Sequence, residues 1–201
     1  MSRIVPLVCG LLLFFGAAAP AQEPSSPSGI IAELNSALLE AMQNAEDLGY
    51  QGRYDLLAPV LSRTFDFAAM ARISVGGHWR KLAPDQQRRL VDSFSRMSTA
   101  TFAARFNGYS GERMEVLGEE EGLRKSILVR NQLVQPDGET IPLHYQLRKT
   151  KAGWRVVDVY LDAKFSELAT KRAEYSAVIA REGFEGLLAT IEKKIAELQA
   201  G

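Results

Sequence analysis

Between Ile141 and Leu161 the chain first alternates apolar and polar residues and then stops alternating. Ile141, Leu143, Tyr145 and Leu147 take every second position against Pro142, His144, Gln146 and Arg148, the period of a strand with one buried face. The next run is apolar on both sides, with Val156, Val157 and Val159 around Asp158. A hairpin with one polar-faced arm and one arm apolar on both faces implies that something besides water covers part of the sheet. Lys151-Ala152-Gly153 supplies the turn between the arms, and Ser166 opens a helix.

The same reading orders the rest. Residues 22–29 are a polar, Pro/Ser-rich lead-in expected to be disordered. A helix follows with Ile30, Ile31, Leu34, Leu38, Ala41, Met42 and Ala45 on one face, ended by Gly49, and a short helix is expected over Tyr54 to Ser62. Asp66 stands where an N-cap belongs, and Gly76-Gly77 stop that turn. Pro84 suits the first position of a helix running to about Asn107 with a wide apolar stripe that includes Phe94, Met97, Phe102 and Phe106. Strands are expected over Arg113 to Glu119, Arg124 to Val134, Ile141 to Lys149 and Trp154 to Leu161. Two helices close the chain, Ser166 to Arg181 and one from Phe184, separated at Gly183.

Helices, then a four-stranded antiparallel meander, then helices is an α+β order without βαβ alternation. Residues 30–201 then form a single domain. A curved sheet covered by helices leaves either a solid core or a cavity, and composition alone favours the solid core.

The first 21 residues read as a cleaved signal peptide: Arg3, the apolar run Ile4 to Phe15, and Ala19-Pro20-Ala21 as the cleavage site. The alternative is an uncleaved anchor. Cys9, the single cysteine, lies inside the apolar run and leaves with the signal, so the mature chain has no disulfide, thiol nucleophile or thiolate metal site. With 24 basic and 24 acidic residues the charge is balanced, which argues against nucleic-acid binding or a polybasic membrane contact. An exported protein, periplasmic in location, is the expectation.

Catalytic patterns are scarce. His78 and His144 read as structural residues, and no zincin, nucleophile-elbow or phosphate-loop motif occurs. Asp158 invites attention because apolar residues surround it, and a buried carboxylate must be paired or hydrogen-bonded. It could be a general base in an isomerase-like pocket with Tyr145 as proton donor. The favoured reading is structural, with Asp158 bonded to backbone N–H groups or to Arg155 or Arg172. Arg148, Lys149, Lys151 and Arg155 bracket a turn, either simply solvated or touching a headgroup or an anionic partner.

Across most of the mature chain the sequence resembles the MlaC or toluene-tolerance family. The resemblance rests on Asp66-Phe67, Met70-Ala71, Gly77, Trp79, Gln86, Phe94, Tyr109, Pro142, Tyr145, Gly153-Trp154, Asp158-Val159, Ser166, Gly183 and Leu187-Leu188 in order. Ala163 stands where the family pattern has glycine. Ser166 to Ile179 is similar to the hopanoid-associated branch often called HpnM.

That resemblance implies a soluble periplasmic carrier of phospholipid, or of a hopanoid, between the outer and inner membranes, maintaining outer-membrane lipid asymmetry. It implies no cofactor, no metal and no enzymatic activity. It also implies two docking partners, an outer-membrane lipid-extracting complex and an inner-membrane ABC transporter with a lipid-binding domain. It tips the balance from solid core to an apolar cavity near or above the top of the usual ~300–1,000 Å³ range. The expected lining is Phe94, Met97 and Phe102 from the long helix with Leu143, Tyr145, Leu147, Val157 and Val159 from the sheet.

Overall fold

The computed structural model describes residues 26–162 and 165–200. The expected signal segment, residues 22–25 and Ala163 lie outside them. Helix α1 spans Pro27–Gln43 and starts within the segment assigned to the disordered lead-in. The reason is local: the Ser26 side chain accepts from Gly29 N at 3.1 Å, and Pro27 needs no partner at the first helical position. The expected continuous run to Gly49 breaks earlier, at Asn44, whose side chain bonds back to Glu40 O at 2.8 Å.

Helix α2, Ala45–Thr64, is interrupted at Gly49 (φ 56°) and then runs through Pro59, longer than the expected short helix. Buried Arg53 donates to Ala45 O and Ala103 O, both at 2.9 Å. It thereby satisfies carbonyls at a helix break and at a helix end that lack ladder partners. Asp66 caps α3 (Phe67–Ser74) by accepting from Ala69 N at 2.9 Å. A 3₁₀ turn, Gly76–Lys81, leads to α4 (Pro84–Arg105), where the Gln86 side chain accepts from Ala83 N at 2.9 Å.

The sheet is an antiparallel meander in the order β1 (Arg113–Glu121), β2 (Ser126–Val134), β3 (Thr140–Thr150), β4 (Gly153–Leu161) and β5 (Phe165–Ser166). The fifth strand is two residues that the alternation pattern is too short to reveal. Strand β2 starts at Ser126, later than expected, because Arg124 and Lys125 take positive φ. Opposite Gln146 and Leu147 the register slips, so that Asp158 and Val156 pair while Val157 is the extra residue. That bulge, with β5 and the helix after it covering the strand, accounts for an arm that reads as apolar on both sides.

Helix α5, Glu167–Ala200, is broken by Gly183 at φ 73°. The helices cover one sheet face, where Val129, Tyr145, Leu147 and Val156 are fully buried against residues such as Leu34, Leu38 and Leu61. Asn35 Nδ2 reaches Asn131 Oδ1 at 2.7 Å inside this core and ties α1 to β2. The opposite face carries polar rows such as Gln146 to Ser126 at 2.9 Å and Gln132 to Glu115 at 3.0 Å. Among the described residues no helix is long and apolar enough to cross a membrane.

Candidate functional site

One end of the core is hollow. A cavity of about 660 Å³ lies between the last turns of α4, both ends of α5 and the Leu143 and Val159 end of the sheet. Helical spacing explains the α4 wall: Phe94, Met97, Thr101 and Arg105 follow one another on one stripe, three or four residues apart, with Phe102 beside Thr101. Strand alternation explains the opposite wall, because Leu143 pairs with Leu161 and both face the hollow, as does Val159. Rings bound it: Phe102 and Phe106 stack with centroids 5.7 Å apart, and Phe65 meets Phe102 edge-on at 5.7 Å.

Gly183 gives the cavity its fourth side. Lys171 and Lys194 both line it, yet in a straight helix their 23-residue separation would be about 35 Å. The turn at Gly183 brings the second half of α5 back, and Arg89–Glu185 and Arg96–Glu192 pairs fasten that half to α4.

Of the eight residues expected to line a cavity, Phe94, Met97, Phe102, Leu143 and Val159 do so. Tyr145, Leu147 and Val157 do not. Tyr145 and Leu147 lie deeper along the strand, fully buried in solid core, with Tyr145 edge-on to Phe65 at 6.5 Å. Val157 is buried at the bulge. The hollow therefore takes up only part of the sheet, and its volume falls inside the usual ~300–1,000 Å³ pocket range, not at or above its top. Sequence reasoning missed Phe106, Leu133, Leu161, Leu168 and Leu198 as lining, although the stripe through Phe106 and the alternation of β4 contained part of that signal.

Asp158 is not part of the cavity wall. It pairs across the ladder with Gln146, whereas neighbouring Tyr145 pairs with Val159, so Asp158 and Tyr145 point to opposite sheet faces. An acid–base pair made of those two residues is ruled out by that geometry. One Asp158 oxygen accepts from Val159 N at 2.8 Å and Leu168 N at 3.1 Å, and the other from Ser166 Oγ at 2.6 Å. Ser166 Oγ in turn accepts from Ala169 N at 2.9 Å, so the pair caps α5. Of the two expected kinds of partner, the backbone N–H groups are present, joined by a hydroxyl, and Arg155 and Arg172 make no bond to Asp158. Burial raises the carboxyl pKa above its ordinary value, and the three hydrogen bonds oppose that rise. Burial likewise raises the Tyr145 phenol well beyond its ordinary range, which leaves it a poor proton donor.

Neither histidine lines the cavity. His144 Nδ1 accepts from Asn131 N at 3.2 Å across the sheet, and His78 lies on the 3₁₀ turn. The basic cluster Arg148, Lys149, Lys151 and Arg155 lies at the far end of the hairpin from Leu143, about 20 Å along the strands. It cannot touch a headgroup held at the cavity. No group of three His, Cys, Asp or Glu side chains that could hold a metal ion occurs among the described residues.

Charge gathers instead at the cavity mouth, where Arg105, Lys171 and Lys194 stand with Asp162 and Glu167 around an apolar interior. Such a site can take an apolar body of moderate size and leave a polar end in water.

The family model described as MlaC protein matches residues 32–193. The chain is similar in structure to the phospholipid-binding protein from Ralstonia solanacearum, solved in complex with a phospholipid. The TM-score is 0.73 at 21% identity, over 84% of this chain and 96% of that one. At that identity the likeness speaks for the fold. A search of curated proteins returned no match.

Proposed function

Because the chain belongs to the MlaC family, we propose that it is a periplasmic phospholipid carrier, a binding protein and not an enzyme. The acyl chains occupy the cavity and the headgroup stays at the mouth. One observation carries this reading: a hollow of about 660 Å³ is walled by Phe94, Met97, Phe102, Leu143 and Leu161 and bordered by charged side chains. Each methylene exposed to water costs on the order of 0.8 kcal/mol, so a diacyl lipid needs such a container to cross an aqueous gap.

Family membership supports the wider assignment. The carrier exchanges cargo with an outer-membrane lipid-extracting complex and an inner-membrane ABC transporter bearing a lipid-binding domain, and the N-terminal 21 residues are its export signal. A hopanoid is the alternative cargo, supported by the likeness of Ser166 to Ile179 to the hopanoid-associated branch.

Native mass spectrometry of protein purified without detergent tests the proposal. A bound species of phospholipid mass is the expected result. A mass matching a pentacyclic hopanoid would change the cargo, and repeated purification of empty protein that takes up no lipid from vesicles would sink the carrier reading.

A further inference from the structure

Helix α4 carries four arginines, and three of them are engaged: Arg88 with Asp85 at 3.1 Å, Arg89 with Glu185 at 2.8 Å, and Arg96 with Asp92 and Glu192. Arg105, the one that lines the cavity, has no hydrogen-bond or ion-pair partner among the described residues. The two mouth carboxylates are in the same condition. Asp162, held at φ 51° in the turn after β4, and Glu167, the first residue of α5, have unengaged side chains. Glu167 is not taken up as a helix cap, since Asp158 and Ser166 already receive the N–H groups of Leu168 and Ala169. Lys171 and Lys194 differ, each paired within its own helix to Glu174 at 2.9 Å and Glu197 at 3.3 Å.

One guanidinium and two carboxylates thus border one opening without closing on one another. Isolated opposite charges that share an opening suit a guest that carries both signs. A guanidinium offers two parallel N–H donors that match a phosphate diester, and carboxylates accept from an ammonium. Resting on the lipid-carrier reading, we propose that the mouth is a headgroup site that selects a zwitterionic phosphate–amine headgroup, with Arg105 on the phosphate and Asp162 and Glu167 on the amine. A phosphate–glycerol headgroup would satisfy Arg105 and bring no cation to the two carboxylates. The whole chain is neutral at 24 charges of each sign, so the discrimination is local and owes nothing to a long-range field.

The test incubates delipidated full-length protein with vesicles of equal parts dioleoylphosphatidylethanolamine, dioleoylphosphatidylglycerol and dioleoylglycerol, and reads the bound lipids by native mass spectrometry. The expected wild-type result is an ethanolamine-to-glycerol headgroup ratio about threefold above that of the vesicles, the scale of one exposed charge pair. Arg105→Gln should lower the ratio of phospholipid to dioleoylglycerol about fivefold, as befits a lost charge-assisted hydrogen bond. Asp162→Asn with Glu167→Gln should return the two phospholipids to the vesicle ratio. Circular dichroism confirms that the variants are folded. Uptake of all three lipids in vesicle proportions by the wild type would overturn the headgroup site and leave the carrier standing. Uptake of none would overturn both.

Discussion

Two tryptophan substitutions four residues apart on β3 locate the boundary between hollow and solid core. Leu143 and Leu147 share a sheet face, and both are nearly or fully buried, at 8% and 0% exposure. Leu143 borders the cavity and Leu147 does not. Enlarging a side chain in filled core strains it by about 1–3 kcal/mol. For a domain of this size each kcal/mol moves the melting temperature by about 2–4 °C, so Leu147→Trp should lower it by roughly 2–12 °C. Leu143→Trp can turn its ring into the hollow and should shift it by less than about 2 °C. Melting is followed by circular dichroism on delipidated protein, because bound lipid would itself raise the transition. In native mass spectrometry Leu143→Trp should load much less lipid than wild type, whereas folded Leu147→Trp should load normally. Equal destabilisation by both variants, or full loading of Leu143→Trp, would refute the placement of the cavity.

Three other perturbations check the scaffold. Asp158→Ala strands the donors Val159 N, Leu168 N and Ser166 Oγ and should cost about 2–4 kcal/mol in urea unfolding, while Asp158→Asn should cost less, because the amide oxygen still accepts from Val159 N and Leu168 N and only the Ser166 Oγ bond to the second carboxylate oxygen is lost. Since burial raises the Asp158 carboxyl in the folded state, its contribution is fully present below the ordinary value of 3.8 and is lost as pH rises through the raised one. Wild type should therefore lose stability relative to Asp158→Asn as pH rises above the ordinary carboxylate value of 3.8, and the opposite trend would show that the hydrogen bonds outweigh burial. Arg53→Met leaves Ala45 O and Ala103 O without their donors and should cost about 2–4 kcal/mol; a neutral result in urea unfolding would remove its stapling role. Gly183→Ala meets no neighbouring atom but forces an L-residue to φ 73° and ψ −173°, a region essentially confined to glycine, so a loss of about 1–3 kcal/mol is expected from backbone strain alone, and wild-type stability would refute it.

The sequence disclosed the architecture where one residue governs one element. Asp66 capping α3, Pro84 starting α4 and alternation along β3 act through nearest neighbours, and these were legible in the sequence. The break at Asn44 was not, because it rests on one side-chain bond back to Glu40 O in a run whose apolar spacing continues through Ala45. The cavity was legible only in part for a related reason. Alternation says that Leu143, Tyr145 and Leu147 share a face, but what lies opposite each position depends on how far the helices reach along the sheet. Phe65 fills the space above Tyr145, and nothing within strand β3 announces it. The mouth was the least legible region. Its charges come from α4, the turn after β4 and the two halves of α5, and only the fold assembles them.

The bend at Gly183 also sets an order of construction. Synthesis proceeds from the N-terminus, so α4 and all five strands exist before the segment that carries Lys194 and Leu198. Until that segment doubles back, the future container is a trough open along one flank, with greasy walls facing water. Removal of the segment after the bend would return the finished molecule to that trough. The second half of α5 thus serves as the stave that closes the barrel, and a guest can be held only once it is in place.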